Sequence, residues 1–284
     1  MMKPILVYLG IAYALSIALS IVIGSTGGQT SPLIGFGIIS MLIPAFAVVI
    51  LSSTMNEGSL VKWNVFPLKY LPLALLLIPV VMHVVMLSMT IILEGKLSWQ
   101  SWLNPGADGL YHTPAEKGWG VLTESGLIIH LITNAIIGLI MVSIMAFFEE
   151  IGWRGWLQPR LTERLGARRG IILTSVIWAL WHVPFVFSGI LRMDGVNTLT
   201  TAVIAPFGTF IVGLIIGWLW LRTKSIWIVS IAHGALNNWG QYAFKYMNDF
   251  TVADPAVVMV SGSLALLLIA IFLLRYCLPD AKFK

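Results

Sequence analysis

Charge is what this sequence has least of. Only 10% of its 284 residues are charged, whereas a soluble globular domain carries roughly 25%. Hydrophobic residues make up 58%, and the mean hydropathy is +0.91. This deficit excludes a soluble core. The apolar residues come in blocks of about 20, the length of a helix that crosses a bilayer, rather than in short alternating segments. The composition therefore predicts an all-α polytopic membrane bundle.

Cysteine and the common catalytic signatures are also scarce. The single cysteine, Cys277, excludes an intrachain disulfide and argues against a thiolate metal cluster. The sequence has no HExxH helix, no GxSxG turn and no phosphate-binding glycine loop. The net charge of +5 follows from basic residues that flank membrane spans, so we expect no nucleic-acid partner.

Eight apolar segments are long enough to be membrane spans. Their approximate bounds are 5–24, 32–52, 71–93, 126–148, 170–190, 200–221, 225–245 and 256–276. The first is longer than a signal-peptide core and lacks a cleavage site, so we interpret it as a retained span. The seventh is the most polar, which is typical of a span that lines a site. We predict one membrane domain, 1–284, with its motif-bearing core at about 126–245.

Basic residues predict the orientation. With the N-terminus in the cytoplasm, 13 of the 17 lysine and arginine residues fall on the cytoplasmic side. This asymmetry favours eight spans with both termini inside. We expect a multi-pass protein of the cell membrane, in a bacterial plasma membrane.

Two adjacent carboxylates end the fourth span, in the stretch FFEEIGWRGWLQPR at 147–160. Ionisable groups beside a membrane-length apolar run are costly and indicate a functional site. Glu149 and Glu150 point about 100° apart on a helix. Glu150 and Arg154 are spaced i, i+4 and are expected to pair. Glu149 is then left to face the bundle interior as a base.

The basic segment that follows, 154–169, carries five arginines interleaved with Trp156, Leu157 and Leu161. This pattern is typical of an amphipathic helix at the membrane surface. The simpler alternative is that the arginines only mark the cytoplasmic side.

Two histidines lie inside later spans that enter from the same side as the carboxylates. His182 follows Trp178 by one helical turn and precedes Pro184, which is expected to bend the helix. His233 precedes Asn237 by one turn, so both line one face.

This set of residues is suited to amide hydrolysis. A glutamate can take a proton from water, and a histidine can orient that water. An asparagine and a second histidine can donate hydrogen bonds to a tetrahedral oxyanion. Alternatively, Glu149, His182 and His233 could hold a divalent metal such as zinc. Residue types alone do not separate these two possibilities.

The motifs resemble those of the CPBP intramembrane proteases, also called the Abi or CAAX protease family, which includes the type II CAAX prenyl endopeptidase. The family pattern is EExxxR, then an aromatic residue followed by xxxH, then HxxxN. Here it begins at Glu149, Trp178 and His233. The aromatic residue is commonly phenylalanine in the family, so Trp178 departs from the pattern.

The resemblance implies a role for each motif residue. Glu149 and His182 would activate the attacking water, and His233 and Asn237 would form the oxyanion hole. Glu150, Arg154 and Trp178 would support them. The family is often called a metalloprotease family, and a metal-independent glutamate mechanism has been argued for its CAAX-cleaving members.

The expected function is an endopeptidase that cleaves a membrane-embedded or prenylated hydrophobic peptide within the lipid bilayer. Two alternatives belong to other classes. One is a non-proteolytic membrane regulator or immunity partner that binds another protein. The other is a proton-coupled transporter that uses Glu149 and the two histidines as a relay.

Overall fold

Helices make up nearly all the regular structure. The computed structural model describes residues 2–58, 63, 65–94, 99, 101–115, 118–193, 195–242, 246 and 254–279. The α-helices are α1 Met2–Ser25, α2 Ile43–Met55, α3 Leu71–Glu94, α4 Glu124–Thr133, α5 Leu139–Gly152, α6 Gln158–Leu165, α7 Ala167–Trp181, α8 Val183–Phe187, α9 Thr198–Thr223, α10 Ile226–Asn238 and α11 Pro255–Tyr276. Short 3-10 helices are Gly28–Thr30, Ile34–Leu42, Leu68–Tyr70, Ser101–Leu103 and Trp239–Gln241.

Two π-helical turns interrupt one long helix. Asn134–Gly138 joins α4 to α5, and Trp153–Leu157 joins α5 to α6. The three helices and two turns form one continuous rod, Glu124–Leu165. Strands β1 Tyr111–His112 and β2 Val121–Leu122 form a small antiparallel hairpin before it.

Seven helices are long and apolar enough to cross a membrane, counted over the described residues. They are Lys3–Ser25, Ile34–Met55, Leu68–Leu93, Glu124–Leu165, Ala167–Phe187, Thr198–Thr223 and Pro255–Tyr276. Each contains or overlaps one of the predicted spans. The all-α polytopic membrane architecture is therefore confirmed.

The remaining predicted span, 225–245, is shorter than expected in the described part of the chain. It is α-helical over Ile226–Asn238 and continues as the 3-10 turn Trp239–Gln241. Residues 243–245 lie outside the described residues. The polar pair Asn237 and Asn238 and the following Gly240 weaken the helix at this point.

Polar caps mark where four helices begin. The side chains of Thr123, Asn197, Ser225 and Asp254 each accept a hydrogen bond from a backbone N–H in the first turn of α4, α9, α10 and α11. Such caps satisfy donors that a helix start leaves without a partner.

Contacts between connections define two ends of the bundle. At one end, Trp156 donates to the Glu57 carbonyl at 2.8 Å, and Arg168 donates to the Leu274 carbonyl at 3.1 Å. We call this the arginine-rich end. It carries Arg154, Arg160, Arg164, Arg168, Arg169, Arg222 and Arg275.

At the opposite end, Arg192 donates to the Gln29 side chain at 2.8 Å, and Trp239 donates to the Ala135 carbonyl at 2.8 Å. The connections thus alternate between the two ends of the bundle. That the arginine-rich end faces the cytoplasm stays a prediction. Six of the lysines on which that prediction drew lie outside the described residues: Lys62, Lys96, Lys117, Lys245, Lys282 and Lys284.

The segment 154–169 differs from the surface helix considered for it. It continues the α5 rod through the second π turn into α6, where Leu161 is buried, and Trp156 and Leu157 of the turn are fully buried. These side chains pack into the main hydrophobic cluster with α1, α2, α7 and α9. Packing against protein replaces contact with lipid, so the apolar face lies inside the bundle.

Close helix contacts bring the motif-bearing segments together. A Cβ on Gly234 of α10 would lie 2.7 Å from the Cα of Ser143 on α5. A Cβ on Gly213 of α9 would lie 2.9 Å from the Cβ of Ser175 on α7. Only glycine allows these backbones to approach so closely. The close approach of α10 to α5 places His233 within reach of Glu150.

Candidate active site

The two adjacent carboxylates at the end of α5 have different partners. Glu150 is fully buried, and its Oε1 accepts hydrogen bonds from Arg154 Nη1 at 2.8 Å and from His233 Nδ1 at 2.9 Å. The i, i+4 pairing of Glu150 with Arg154 was predicted. The bond to His233 was not, because it joins two helices that are 83 residues apart in the chain.

Glu149 keeps one oxygen available. Its Oε2 accepts a hydrogen bond from Trp178 Nε1 at 3.0 Å. Within the described residues, its Oε1 accepts no hydrogen bond, and the side chain retains 3% exposure, whereas Glu150 has none. A carboxylate with one oxygen held and the other open is oriented for proton transfer.

His182 lies where the helix breaks between α7 and α8, next to Pro184 as predicted. Its backbone N–H bonds to the Ala179 carbonyl at 3.1 Å, a 3-10 pattern that leaves the Trp178 carbonyl for the side chain. His182 Nδ1 lies 2.8 Å from that carbonyl oxygen. Because a carbonyl only accepts, Nδ1 carries the hydrogen, and Nε2 of the neutral ring is an acceptor.

The same reasoning sets the tautomer of His233. Its Nδ1 faces the Glu150 carboxylate, so Nδ1 carries a hydrogen and the neutral ring leaves Nε2 as an acceptor. To donate from Nε2 as well, the ring must be protonated.

Trp178 connects these groups. Its indole N–H bonds to Glu149, and its carbonyl bonds to His182. Its ring lies 5.4 Å from the His182 ring and 5.1 Å from the His233 ring, centroid to centroid. The Arg154 guanidinium lies over its face at 4.3 Å. Glu149, His182 and His233, predicted from three separate motifs, thus meet at one side chain.

Asn237 is placed less closely. It lies four residues beyond His233 on α10, about 6 Å along the helix, and is half-buried. No hydrogen bond joins its carboxamide to the other three side chains within the described residues. Its neighbour Asn238 is buried and donates to the Asn134 carbonyl at 3.0 Å. Asn238 therefore anchors α10 to the first π turn.

The donor set does not fit a resident metal in this arrangement. No group of three His, Cys, Asp or Glu side chains within the described residues could hold one ion. His182 Nδ1, His233 Nδ1 and Glu149 Oε2 each have a protein partner, and the atoms left open, Nε2 of both histidines and Glu149 Oε1, form no such group of three among the described residues. We therefore derive no step of the reaction through a metal.

Several polar atoms near the carboxylates are buried without a hydrogen-bond partner among the described residues. They are Tyr8 OH, Glu150 Oε2, Trp153 Nε1 and Arg154 Nε and Nη2. Each such atom costs about 1–3 kcal/mol unless something bonds to it. Interior water commonly fills this need. The surroundings of Glu149 are thus suited to hold water within the membrane.

A cavity of about 440 Å³ lies elsewhere, at the end opposite the arginine-rich end, where Gln29, Ser188 and Arg192 line it. Val186 and Phe187 of the short helix α8 also line it. Hydrogen-bond geometry, not cavity size, therefore defines the candidate site.

Two features were missed in the sequence. The first is the indole N–H of Trp178, which bonds to Glu149 and which the family's more common phenylalanine lacks. The second is Tyr8 of α1, which is fully buried beside Gly152, one turn after Glu149. The identity of Trp178 could have revealed the first. For Tyr8, the only signal was a polar group in an apolar span.

Comparisons with known proteins agree with the three motifs. Residues 131–239 match the family model described as type II CAAX prenyl endopeptidase Rce1-like. A protein of Methanococcus maripaludis named CAAX prenyl protease 2 is 26% identical over 137 residues, which cover 48% of this chain and 51% of that relative. The chain thus spans about half the length of this relative. The family match includes Glu149, His182, His233 and Asn237, and leaves α1 outside.

Proposed function

We propose that this chain, which belongs to the CAAX protease family through residues 131–239, is a membrane endopeptidase that hydrolyses peptide bonds with activated water. One observation carries this proposal: Glu149 and His182 are both oriented by Trp178, and each leaves one proton-accepting atom available. Two acceptors held by one residue are suited to bind the two hydrogens of a single water.

The reaction begins with that water. It donates one hydrogen to Glu149 Oε1 and the other to His182 Nε2. Glu149 takes a proton as the water oxygen bonds to the peptide carbonyl carbon. The carbonyl π electrons move to its oxygen, which becomes an oxyanion. General-base assistance of this kind contributes typically 10²–10⁴-fold.

The oxyanion then needs donors. Nε2–H of protonated His233 and the Asn237 amide are the groups on α10 proposed for this role. Glu149 next returns its proton to the amide nitrogen, and the C–N bond breaks. The products are a carboxylic acid and an amine, and Glu149 is again a carboxylate. Arg154 and Glu150 remain paired and hold His233 throughout.

The proposed substrate is a hydrophobic peptide that reaches the site from the lipid bilayer, either membrane-embedded or prenylated near its C-terminus. The similar Methanococcus protein is named CAAX prenyl protease 2, and the family model is described as a type II CAAX prenyl endopeptidase. The long apolar helices are consistent with action at the membrane, in our proposal the plasma membrane of a bacterium.

The test compares membrane peptidomes of cells that express wild type, Glu149→Gln or Glu163→Gln. Glu163 lies on the exposed face of α6, so its variant controls for loss of a carboxylate at the arginine-rich end. We expect Glu149→Gln to abolish a set of cleavage products that wild type and Glu163→Gln both generate. Identical peptidomes in all three strains would overturn the proposal.

Cleavage assays with the purified protein distinguish the possible classes of substrate. The probes are a farnesylated C-terminal peptide, the same peptide without its lipid, and a synthetic transmembrane peptide, each in detergent micelles. Cleavage that requires the farnesyl group would identify a prenyl endopeptidase. If the cellular effect of the wild-type protein is retained in Glu149→Gln, the protein is a regulatory partner of another protein. If a pH gradient drives solute flux across liposomes that contain the purified protein, it is a transporter.

A further inference from the structure

Tyr8 is a buried phenol from the first helix that the proposed reaction has not used. Its ring stacks on Trp156 with centroids 4.7 Å apart and planes at 22°. It also meets the edge of Trp153 at 5.7 Å and 88°. These contacts fix the ring on two sides. Phenylalanine would make the same contacts, so packing alone does not explain the hydroxyl.

The hydroxyl lies on the face of α5 that carries Glu149. A Cβ on Gly152 would overlap the Tyr8 oxygen, so the two groups touch. At 100° per residue, Gly152 and Trp153 lie at about −60° and +40° from Glu149, on either side of it. Glu150 and Arg154 lie further round, at about 100° and 140°. Tyr8 therefore faces Glu149, not the Glu150 pair.

Helix α1 is held firmly against the helix that carries the other site residues. Tyr13 OH donates to the Ile177 carbonyl at 2.6 Å. Trp181 Nε1 donates to Ser16 Oγ at 2.7 Å. Helix α1 is therefore held against α7 at two separate points, so the loss of either bond leaves the other in place.

The Tyr8 hydroxyl has no hydrogen-bond partner within the described residues, although it is fully buried. Buried tyrosine hydroxyls usually have one. The charged side chains that act on it are Glu149, Arg154 and Glu150. A small polar molecule shared with Glu149 would satisfy the hydroxyl, and the proposed reaction already requires a water next to that carboxylate.

We propose that the Tyr8 hydroxyl is a third anchor of the attacking water, an inference that rests on the proposed endopeptidase function. A water has four tetrahedral positions. Its two hydrogens bond to Glu149 and His182, and one lone pair accepts from Tyr8. The remaining lone pair is then directed at the substrate carbonyl. Tyr8 keeps its own proton throughout, so Glu149 remains the group that takes and returns a proton.

This assignment extends the site beyond the region matched by the family model, since Tyr8 precedes residue 131. It also gives α1 a task in the reaction besides packing. The water would be oriented by three helices: α5 through Glu149, α7 through His182 and α1 through Tyr8.

The test is Tyr8→Phe in the full-length protein, with Tyr13→Phe as the matched control on the same helix. The substrate probe is a synthetic peptide copied from a cleavage site lost in Glu149→Gln cells. We expect Tyr8→Phe to lower kcat about tenfold or more with KM unchanged, because loss of one hydrogen bond to a reacting group has this magnitude. Tyr13→Phe removes a structural bond and should lower the thermal midpoint while largely preserving kcat.

A rescue variant separates chemistry from folding. Replacing Tyr8 with 4-aminophenylalanine by nonsense suppression restores a donor at the same position and should recover much of kcat. Wild-type kcat in Tyr8→Phe, or no recovery with the amino variant, would overturn the inference and leave the endopeptidase proposal intact. If Glu149→Gln alters no peptide, the proposed function fails, and the role of Tyr8 fails with it.

Discussion

The end of α5 presents a glutamate on each of two faces, and the two glutamates differ in their hydrogen-bond partners. On the face toward α10, Glu150 is fully buried, and one of its oxygens accepts from both Arg154 and His233. On the face toward α1 and α7, Glu149 accepts one bond from Trp178 and keeps an oxygen open. A rotation of about 100° separates the two environments.

The difference shows how a membrane protein can hold one carboxylate in an ion pair and leave an oxygen of the adjacent one without a partner among the described residues. The Glu150 face has an internal counter-charge and couples α5 to α10. On the Glu149 face, the neutral indole of Trp178 orients the carboxylate without an opposite charge. Changes confined to one face should therefore affect stability and catalysis to different extents.

The largest loss of stability is expected from a substitution on the face toward α10. Glu150→Gln removes the counter-charge of the buried Arg154, and an uncompensated buried charge costs about 3–5 kcal/mol. We expect a lower thermal midpoint for the detergent-solubilised protein, measured by tryptophan fluorescence. Glu163→Gln, on the exposed face of α6, should leave the midpoint unchanged. Equal midpoints for the two variants would show that the Glu150 pair does not stabilise the fold.

Separating α10 from α5 should come next. In Gly234→Ala, the new Cβ lies 2.7 Å from the Ser143 Cα, so the helices must move apart, at about 1–3 kcal/mol. His233 would move away from Glu150, and both stability and kcat should fall. A Cβ on Gly240 would lie 3.5 Å from its nearest neighbour, an atom of Leu236, which is an ordinary van der Waals contact. Gly240→Ala is therefore the control. Normal kcat in Gly234→Ala would mean that the reaction does not need His233 in this position.

A smaller and more selective loss is expected on the other face. Trp178→Phe keeps an aromatic ring beside both histidines but removes the N–H that holds Glu149 Oε2. A hydrogen bond to a charged group is worth about 1.5–3 kcal/mol, so kcat should fall roughly 10–100-fold. Trp181→Phe, which loses only a neutral bond to Ser16, is the control. An equal loss of kcat in Trp178→Phe and Trp181→Phe would show that the Trp178 N–H gives Glu149 no specific support. The contrast drawn between the two faces would then be wrong.

The smallest effect is expected from metal removal. No group of three His, Cys, Asp or Glu side chains that could hold one metal ion forms among the described residues. We expect peptide cleavage to continue after dialysis against 1,10-phenanthroline. Inactivation by the chelator, with recovery on adding zinc, would assign Glu149, His182 and His233 to a metal after all.

Contacts along one helix could be predicted, and contacts between helices could not. The Glu150–Arg154 pair follows from i, i+4 spacing, and the helix break beside His182 follows from Pro184. The bond from His233 to Glu150 and the position of Tyr8 depend on how separate helices pack, which spacing does not encode. The burial of α6 was not predicted for the same reason. The sequence pattern of an apolar helix face is the same whether lipid or protein covers that face.

The π turn at Trp153–Leu157 takes up one extra residue without turning α6 out of phase with α5. A π turn holds one residue more than the α-helical turn it replaces. Deleting one residue within it would therefore restore a regular α-helical turn and leave α6 at nearly the same rotation relative to α5. The same deletion within α5 would rotate everything beyond it by about 100°. Trp156 and Arg160 would then lose their partner Glu57. The π turn is therefore a position at which the length of this rod can change by one residue with little effect on the contacts of either end.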